Sequence, residues 1–551
     1  MTLQVARLVG GAGTGKTTEL QRLMEAALPK LGNDPMRLGF ASFTRAARAE
    51  AVGRVAAAWD VPPRVLEGEG WFRTVHSTCK RCLGIDGKQL LTESKADTEW
   101  ISNALGVKLS TAIDDEVGRQ KYLGDPTVAA SLNCWNLSKS SLLPVSEVVR
   151  LARQVDDTVP DFAAVVRICE RYELAKRVGE RFDFTDLLMA FAGFHASPSS
   201  GVCRVDPQGD LPQVDAWLFD EQQDASPLLD AVCKRLVSAP SVKWCYVVGD
   251  PFQAIYGFAG SSAACFLGWP AQKERVMPKS YRCPAPILEI GERCLRRMFD
   301  GYFDRGIAAA DHEGFVTRAG CIDDAIAAAK ADEDWLFVAR TNYHAAVMYT
   351  ALHNAGKPAR WVKSSDSPTK RGDGMRALYK LEKDEPISGA DWAKAVELLP
   401  ITGPGKVPYL GRGIKTGWAK KHADSWDVVF ASDLSSVGAE PALVEAIRTG
   451  NWCGLVDGGK TWRREAMRWG ADLASSPKIR VGTVHSVKGA EADNVAYLTT
   501  LTKRVQDGMT QPEQHDEECR IAYVAVTRAR RRLCIIDDGA AGRMVPRMEV
   551  A

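Results

Sequence analysis

No run of apolar residues in this chain approaches about 18, the length a helical membrane span needs, so no span is expected. The N-terminus does not show charged, apolar and cleavage regions in order, which argues against a secretory leader. Cysteine forms no repeating framework: the 14 residues are scattered, as suits a reducing compartment. Cys79-Lys80-Arg81-Cys82 is the one CxxC, and no second pair completes a zinc or iron–sulfur site. Those thiols read as buried or incidental, with a metal role as the alternative. Charge of neither sign dominates. Lys and Arg number 71 against 69 Asp and Glu, a formal net charge of +2, so any track for a polyanion must be local. These absences point to a soluble, cytoplasmic chain with no membrane partner.

What is present is ordinary for a globular protein, 45% hydrophobic and 25% charged, and 551 residues suggest three or four domains. The sharpest feature comes first. Gly10-Gly11-Ala12-Gly13-Thr14-Gly15-Lys16-Thr17 fits the phosphate-loop pattern, a glycine, four residues, then Gly-Lys-Thr. Leu3 to Val9 reads as a buried strand before it. Thr17 to Leu28 reads as a helix after it, with Leu20, Leu23, Met24, Ala27 and Leu28 on one face. Glycines let backbone N–H groups point at phosphate oxygens, and the helix N-terminus adds positive potential. Lys16 would reach the β- and γ-phosphates, and the Thr17 hydroxyl would serve Mg²⁺. A glycine-rich turn with a chance lysine is the alternative.

Arg37 to Phe43 is a second strand-like run, and Thr44 opens a helix that extends to about Ala57. Phe43 and Thr44 then sit at the carboxyl edge of a parallel sheet, where ligands bind in open α/β folds. Arg73-Thr74-Val75-His76-Ser77 precedes another helix. From about 85 to 181 the pattern is predominantly helical, with a last helix at about Phe162 to Val178, and reads as an insertion. Val214 to Phe219 is an apolar strand that delivers Asp220-Glu221-Gln222-Gln223-Asp224. One carboxylate there can hold Mg²⁺ through water while its neighbour accepts a proton from the attacking water; a solvated acidic turn is the alternative. Trp244 to Val248 is a further strand, followed by Gln253, which could touch a γ-phosphate, and by Tyr256 and Phe258, which could stack on bases or pack in a core.

A Pro- and charge-marked link, Pro270 to Pro278, leads to Ser280-Tyr281-Arg282-Cys283-Pro284 and a second α/β unit. Its strands are expected at Trp335 to Ala339, Ile479 to Thr483, Asn494 to Thr499 and Arg532 to Ile536. An insertion from about Ser364 to Pro477 carries Trp392, Trp418, Trp426, Trp452, Trp462 and Trp469, read as the core of a small helical domain. It also carries Thr402-Gly403-Pro404-Gly405-Lys406. Arg412, Lys415, Lys420 and Lys421 form a basic cluster, a solvated face or a contact for duplex backbone.

In order, these signals resemble the superfamily 1 helicases of the UvrD/PcrA/Rep type. The series is GGAGTGKT, ASFTRAA, RTVHS, DFTDLL, DEQQD, VGDPFQAIYGFAG, SYRCP, ARTN, GTVHSVKGAE and EECRIAYVAVTRARRRL, spanning residues 10 to 533. The resemblance implies an α/β fold of two RecA-like cores, parallel sheets flanked by helices, each interrupted by a mainly helical insertion. Residues 1–84 and 182–272 would form the first core around the insertion 85–181. Residues 273–363 and 478–551 would form the second around the shortened insertion 364–477. ATP would lie between the cores, with Lys16, Thr17 and Asp220 serving phosphates and Mg²⁺. Glu221 would be the general base, Gln253 the γ-phosphate sensor, and Arg282 and Arg528 arginine fingers. Tyr281 would stack on the base, Glu491 would sit near the ribose, and Gln223 would couple the motor sites. Phe43, Tyr256 and Phe258 would line a single-strand track with Thr44, His76, Thr483 and His485 as backbone or sugar neighbours. The histidines have packing or turn-capping as an equal alternative.

Departures from the family pattern carry their own expectations. Only nine residues precede Gly10, leaving no room for the family's upstream glutamine motif, and Thr18 stands where many relatives carry an arginine. The adenine clamp reduces to Tyr281, so discrimination between ATP and GTP should weaken. Phe258 replaces the usual tryptophan. The chain ends soon after Arg532, with no room for a nuclease module or a long partner-binding tail. The expected activity is ATP-dependent 3′-to-5′ translocation and unwinding at single-strand/duplex DNA junctions in repair, replication or recombination, with replication or repair proteins as unidentified partners, at the nucleoid of a cell or in the host cytoplasm of a phage. A DNA-stimulated ATPase that strips or remodels protein–DNA complexes in a larger assembly, without processive unwinding, is the alternative. A nucleotide-gated binding module is a third reading, which Glu221, Arg282 and Arg528 argue against.

Overall fold

The computed structural model describes residues 3–537 apart from 44, 93, 115–118, 157, 363–367 and 419–427. It divides into two compact units, Met1–Gly314 with Thr502–Thr527, and Phe315–Leu501 with Arg528–Arg543.

The first unit is built on a six-stranded parallel sheet. Its strands are β1 (Gln4–Val9), β2 (Leu38–Ser42), β3 (Trp71–Thr74), β4 (Ala216–Phe219), β5 (Trp244–Gly249) and β6 (Lys273–Val276), in the order β6-β1-β5-β4-β2-β3. Every residue of β2 and β4 is buried, as befits parallel strands covered on both faces. Alternate residues split between two cores. Val5, Val9, Phe43, Trp217 and Phe219 enter one, and Leu8, Phe40, Leu218 and Val248 enter the other with Leu20 and Met24 of the helix Lys16–Ala27. The register of β1 on β5 runs from Gln4 opposite Trp244 to Val9 opposite Gly249. This sets the phosphate loop beside the residues that follow β5.

Several features depart from the sequence expectation: β3 and the hairpin of Phe194–Ser197 with Gly201–Arg204 were not foreseen, and two more are informative. Part of the link 270–278 is the edge strand β6, paired with β1. Its lysine, glutamate and arginine are exposed, the charge pattern that edge strands tolerate and that hides them from hydrophobic periodicity. The insertion 85–181 contains an antiparallel hairpin, Leu109–Asp114 with Arg119–Gly124, among its helices Lys95–Leu105, Pro126–Ser141, Val145–Val155 and Phe162–Val178. Leu109 and Tyr122 anchor that hairpin in the core of the insertion. No helix among the described residues is long and apolar enough to cross a membrane.

The second unit holds another six-stranded parallel sheet. Its strands are β7 (Phe315–Ala319), β8 (Trp335–Ala339), β9 (Ala359–Trp361), β10 (Ile479–Thr483), β11 (Ala492–Leu498) and β12 (Ala529–Ile536), in the order β7-β12-β11-β8-β10-β9. The four expected strands are the inner ones. The two that sequence missed, β7 and β9, are the edges, where one is half exposed and the other has only three residues. In the insertion of this unit, Trp392, Trp452 and Trp462 are buried in one helical core. Trp469 is half-buried beneath the Arg468 guanidinium, 5.1 Å from its ring. Trp426, the Trp418 side chain, Lys420 and Lys421 lie outside the described residues. Lys415 donates to the Leu399 carbonyl at 2.9 Å, so part of the basic cluster serves the fold, while Arg412 is exposed.

Candidate nucleotide and nucleic-acid site

The phosphate loop joins β1 to the helix Lys16–Ala27, and the Gly10 N–H donates to the Gly249 carbonyl at 2.9 Å. Gly15 caps the helix in the left-handed conformation, φ 80°, so the loop turns inward with its amides ahead of the helix N-terminus. Thr14 is buried and its hydroxyl donates to the Gly11 carbonyl at 3.0 Å. The Lys16 ammonium folds back over the loop, with Nζ 3.5 Å from the Gly10 carbonyl oxygen. Ala12 lies within the loop, and Thr18 is exposed on the helix.

At the end of β4, Asp220 and Glu221 point into this region. Burial, and next the Glu221 carboxylate, push the Asp220 carboxyl up to about 7, with Lys16 opposing them. Thr17 and Asp220 line one small cavity with Leu20, Met24 and Phe40. A hydroxyl beside a desolvated carboxyl is a donor set that suits a hard divalent cation, whose charge would relieve the carboxylate. Glu221 holds a left-handed backbone, φ 52°, uncommon for a residue with a side chain and typical of strained functional positions. Its carboxylate accepts from the Gln223 amide. Gln223 Oε1 accepts from the Asp250 N–H at 3.0 Å, and Asp250 Oδ2 accepts from Gln253 Nε2 at 2.8 Å. The expected base, coupling and sensor residues therefore form one continuous chain.

Residues 273–314 and 502–527, which motif order places in the second core, pack within this first unit. The Ser280 hydroxyl donates to the Ala12 carbonyl at 2.8 Å, and the Tyr281 N–H donates to the Gly13 carbonyl at 2.8 Å. Gly13 has φ 68°, and a Cβ added there would collide with Arg282. The Arg282 guanidinium lies 3.5 Å from the Thr527 carbonyl, and burial pulls its pKa below the usual arginine range. Tyr281 is 70% exposed.

The nucleic-acid candidates are unequal. Phe258 is 55% exposed, whereas Phe43 and Tyr256 are buried, with the Tyr256 and Phe258 rings edge to face at 6.1 Å. Phe258 alone of the three offers a broad open ring. His76 sits in the first turn of the helix Val75–Cys82 with its ring edge-on to Phe184, and burial holds its pKa down to about 4. Thr44 lies outside the described residues.

Two family models match the chain: the UvrD/REP helicase N-terminal domain over residues 2–272, and the UvrD-like helicase C-terminal domain over residues 467–538. The chain belongs to the UvrD/REP helicase family. It is 24% identical to the ATP-dependent DNA helicase UvrD2 of Mycobacterium tuberculosis over 569 aligned positions, covering 96% of this chain and 76% of that protein. Over shorter stretches it is 25% identical to YjcD of Bacillus subtilis, covering 64% of this chain and 46% of that protein. It is 26% identical to the ATP-dependent DNA helicase PcrA of Leuconostoc citreum, covering 51% of this chain and 36% of that protein. The match thus spans less than half the length of the last two relatives.

The remaining UvrD-type candidates lie in the second unit. Arg528 lies in the turn just before β12, is buried, and donates through Nη1 to the Ala490 carbonyl at 3.3 Å. Glu491 pairs with Arg530, a partner that sequence reading did not single out. Thr483 ends β10 and its hydroxyl accepts from the Ser486 N–H at 3.2 Å, which places it as the cap of the turn that carries half-buried His485. In the first unit the residues missed by sequence are Asp250, Glu292, Arg305 and Tyr523. Asp250 and Tyr523 lie inside UvrD-type motifs and so had a signal. Arg305, alone in an irregular stretch, had none.

Proposed function

We propose that this protein is an ATP-dependent motor that translocates 3′ to 5′ on single-stranded DNA and opens single-strand/duplex junctions during repair, replication or recombination. One observation carries the reading. Within one unit, the Asp220-Glu221 pair, Gln223, Asp250 and Gln253 form a continuous polar chain beside Lys16 and Thr17, in a member of the UvrD/REP family. That arrangement supports hydrolysis rather than nucleotide binding alone.

In this reading the loop amides and Lys16 hold the ATP phosphates. Thr17 and Asp220 would hold Mg²⁺, which when bound adds positive charge at the phosphate oxygens. Glu221 orients the attacking water and takes its proton, and Gln253 reports the γ-phosphate through Asp250. Arg282 and Arg528 balance the charge that develops as the phosphoryl group leaves. Tyr281 and Glu491 serve base and ribose. Phe258 is the open stacking platform for a base; Phe43 and Tyr256 would line the same strand, and His76, Thr483 and His485 would meet its backbone or sugars.

The deciding experiment measures ATP turnover with and without single-stranded DNA or RNA, then strand separation on tailed duplexes with the better strand. Strong stimulation by DNA followed by unwinding supports the motor. Stimulation without unwinding selects the remodelling ATPase, and turnover indifferent to either strand defeats the reading.

A further inference from the structure

The Tyr523 hydroxyl lies where three distant pieces of chain meet. It accepts from the Ala12 N–H of the phosphate loop at 3.1 Å, across 511 residues of sequence, and donates to Asp250 Oδ2 at 3.3 Å. Asp250 uses both oxygens fully. Oδ2 also takes the Gln253 amide at 2.8 Å, while Oδ1 takes Arg305 Nη1 at 2.8 Å and the Phe252 N–H at 3.1 Å. Arg305 is fixed in turn by Glu292 at 2.6 Å and by the Phe252 and Tyr523 rings, 4.6 and 5.1 Å from its guanidinium carbon. Asp250, Arg305 and Tyr523 are all buried. The helix Ala285–Leu295 approaches Tyr523 through Gly291, where an added Cβ would stand 3.1 Å from the ring and from Thr527.

We propose that Tyr523, with Asp250 and Arg305, is a positioning device that ties the phosphate loop and Gln253 to the helix Pro512–Val526, two residues before Arg528. The physical reason is shared acceptance at one buried oxygen. When the Gln253 amide turns toward a phosphate, Asp250 Oδ2 loses a donor, and the hydroxyl that bridges it to Ala12 must respond. Phosphate state is thereby felt by the helix that leads into Arg528. A hydroxyl used as both donor and acceptor cannot be replaced by packing alone, because its loss takes the acceptor from the buried Ala12 N–H and one of two donors from Asp250 Oδ2.

The inference rests on the ATPase reading, and its test separates the two. Tyr523→Phe keeps the ring. In the full chain, hydrogen–deuterium exchange of the loop segment 10–15 should quicken while β4 and β5 exchange as in the parent. DNA-stimulated kcat should fall about tenfold, the rate equivalent of one to two buried hydrogen bonds, with the KM for ATP within about twofold. Asp250→Asn should act in the same direction, and the double variant should be little worse than either single one, as expected for groups that act as a unit. Loop exchange equal to the parent overturns the device, as does a kcat equal to the parent or a loss confined to KM. A parent chain without ATP turnover defeats the ATPase reading alone and leaves exchange at 10–15 to decide the device.

Discussion

Glu221 pairs a strained backbone with a carboxylate that accepts from Gln223, and next to it Asp220 is held up to about 7 by burial and by Glu221 itself. The two neighbouring carboxylates therefore have different environments, the usual way in which one comes to serve a metal and the other a proton transfer. Glu221→Gln preserves shape and removes the proposed base. Steady-state turnover should fall by about 10²–10⁴, with binding of a fluorescent ATP analogue retained; unchanged turnover would move the base elsewhere. His76 makes a different statement. Its pKa of about 4 lies below the ordinary 6.5, so on acidification the unfolded chain takes the proton first. Stability is complete above 6.5 and declines toward 4. Between pH 7 and pH 5 the imidazole accounts for a loss of about 2 kcal/mol. His76→Phe, which keeps an aromatic ring against Phe184, should flatten the urea-denaturation profile by that amount. A neutral imidazole also brings no charge to a DNA phosphate, so any contact it makes is a hydrogen bond.

At the scale of elements, the insertion 85–181 is fastened to the helix Phe184–Ala192 by a buried ionic cluster rather than by apolar packing alone. Lys139 from the helix Pro126–Ser141 and Lys176 from the helix Phe162–Val178 both reach Asp183 and Asp186, with distances of 2.9 and 3.1 Å for Lys139 and 2.8 and 2.6 Å for Lys176. Asp183 caps the helix Phe184–Ala192, and Glu173 adds a third carboxylate at 2.9 Å from Lys176. Burial works to raise Asp183, but the two ammonium groups outweigh it and hold the carboxyl well below its usual range. Lys176→Met should cost about 3–5 kcal/mol by chemical denaturation, because it strands buried carboxylates; a loss under about 1 kcal/mol would show that Lys139 alone compensates them. This cluster was invisible in sequence, where Lys139 and Lys176 read as ordinary helix charges. The same limit explains the other omissions. The inner strands β4, β5, β8 and β11 were legible because burial on both faces writes a continuous apolar run, and motifs at their ends named Glu221 and Gln253. The edge strands β6, β7 and β9 write no such run, and no local pattern announces that Tyr523 will meet Ala12.

Across the whole molecule, motif order points to two parallel sheets and the family, while the division of contacts is set by packing between residues far apart in sequence. Arg282 was expected with the second core, yet its backbone neighbours Ser280 and Tyr281 bond to the phosphate loop, and only Arg528 belongs to the second unit. Any contact with the proposed DNA strand must likewise be local, since a net charge of +2 gives little bulk attraction to DNA. Stacking then matters more than charge, and the aromatic candidates are far from equivalent: Phe258 is 55% exposed and Phe43 and Tyr256 are buried. Phe258→Ala should remove about 1–3 kcal/mol of single-strand affinity. It should raise the DNA concentration for half-maximal ATPase stimulation by roughly 5–150-fold, the same energy expressed as a ratio. The effect should persist at high salt, because losing a stacked ring releases no counterions, whereas loss of a phosphate contact would lower the salt slope by about one. On duplexes with a single tail, the parent should separate strands from a 3′ tail and leave a 5′-tailed duplex intact, and the variant should lose yield on the 3′ tail without acquiring the other polarity. Equal opening of both tails by the parent would remove the directional reading. A Phe258→Ala protein with unaltered DNA dependence would pass the stacking role to a ring now buried, and so require that Phe43 or Tyr256 become exposed when DNA binds.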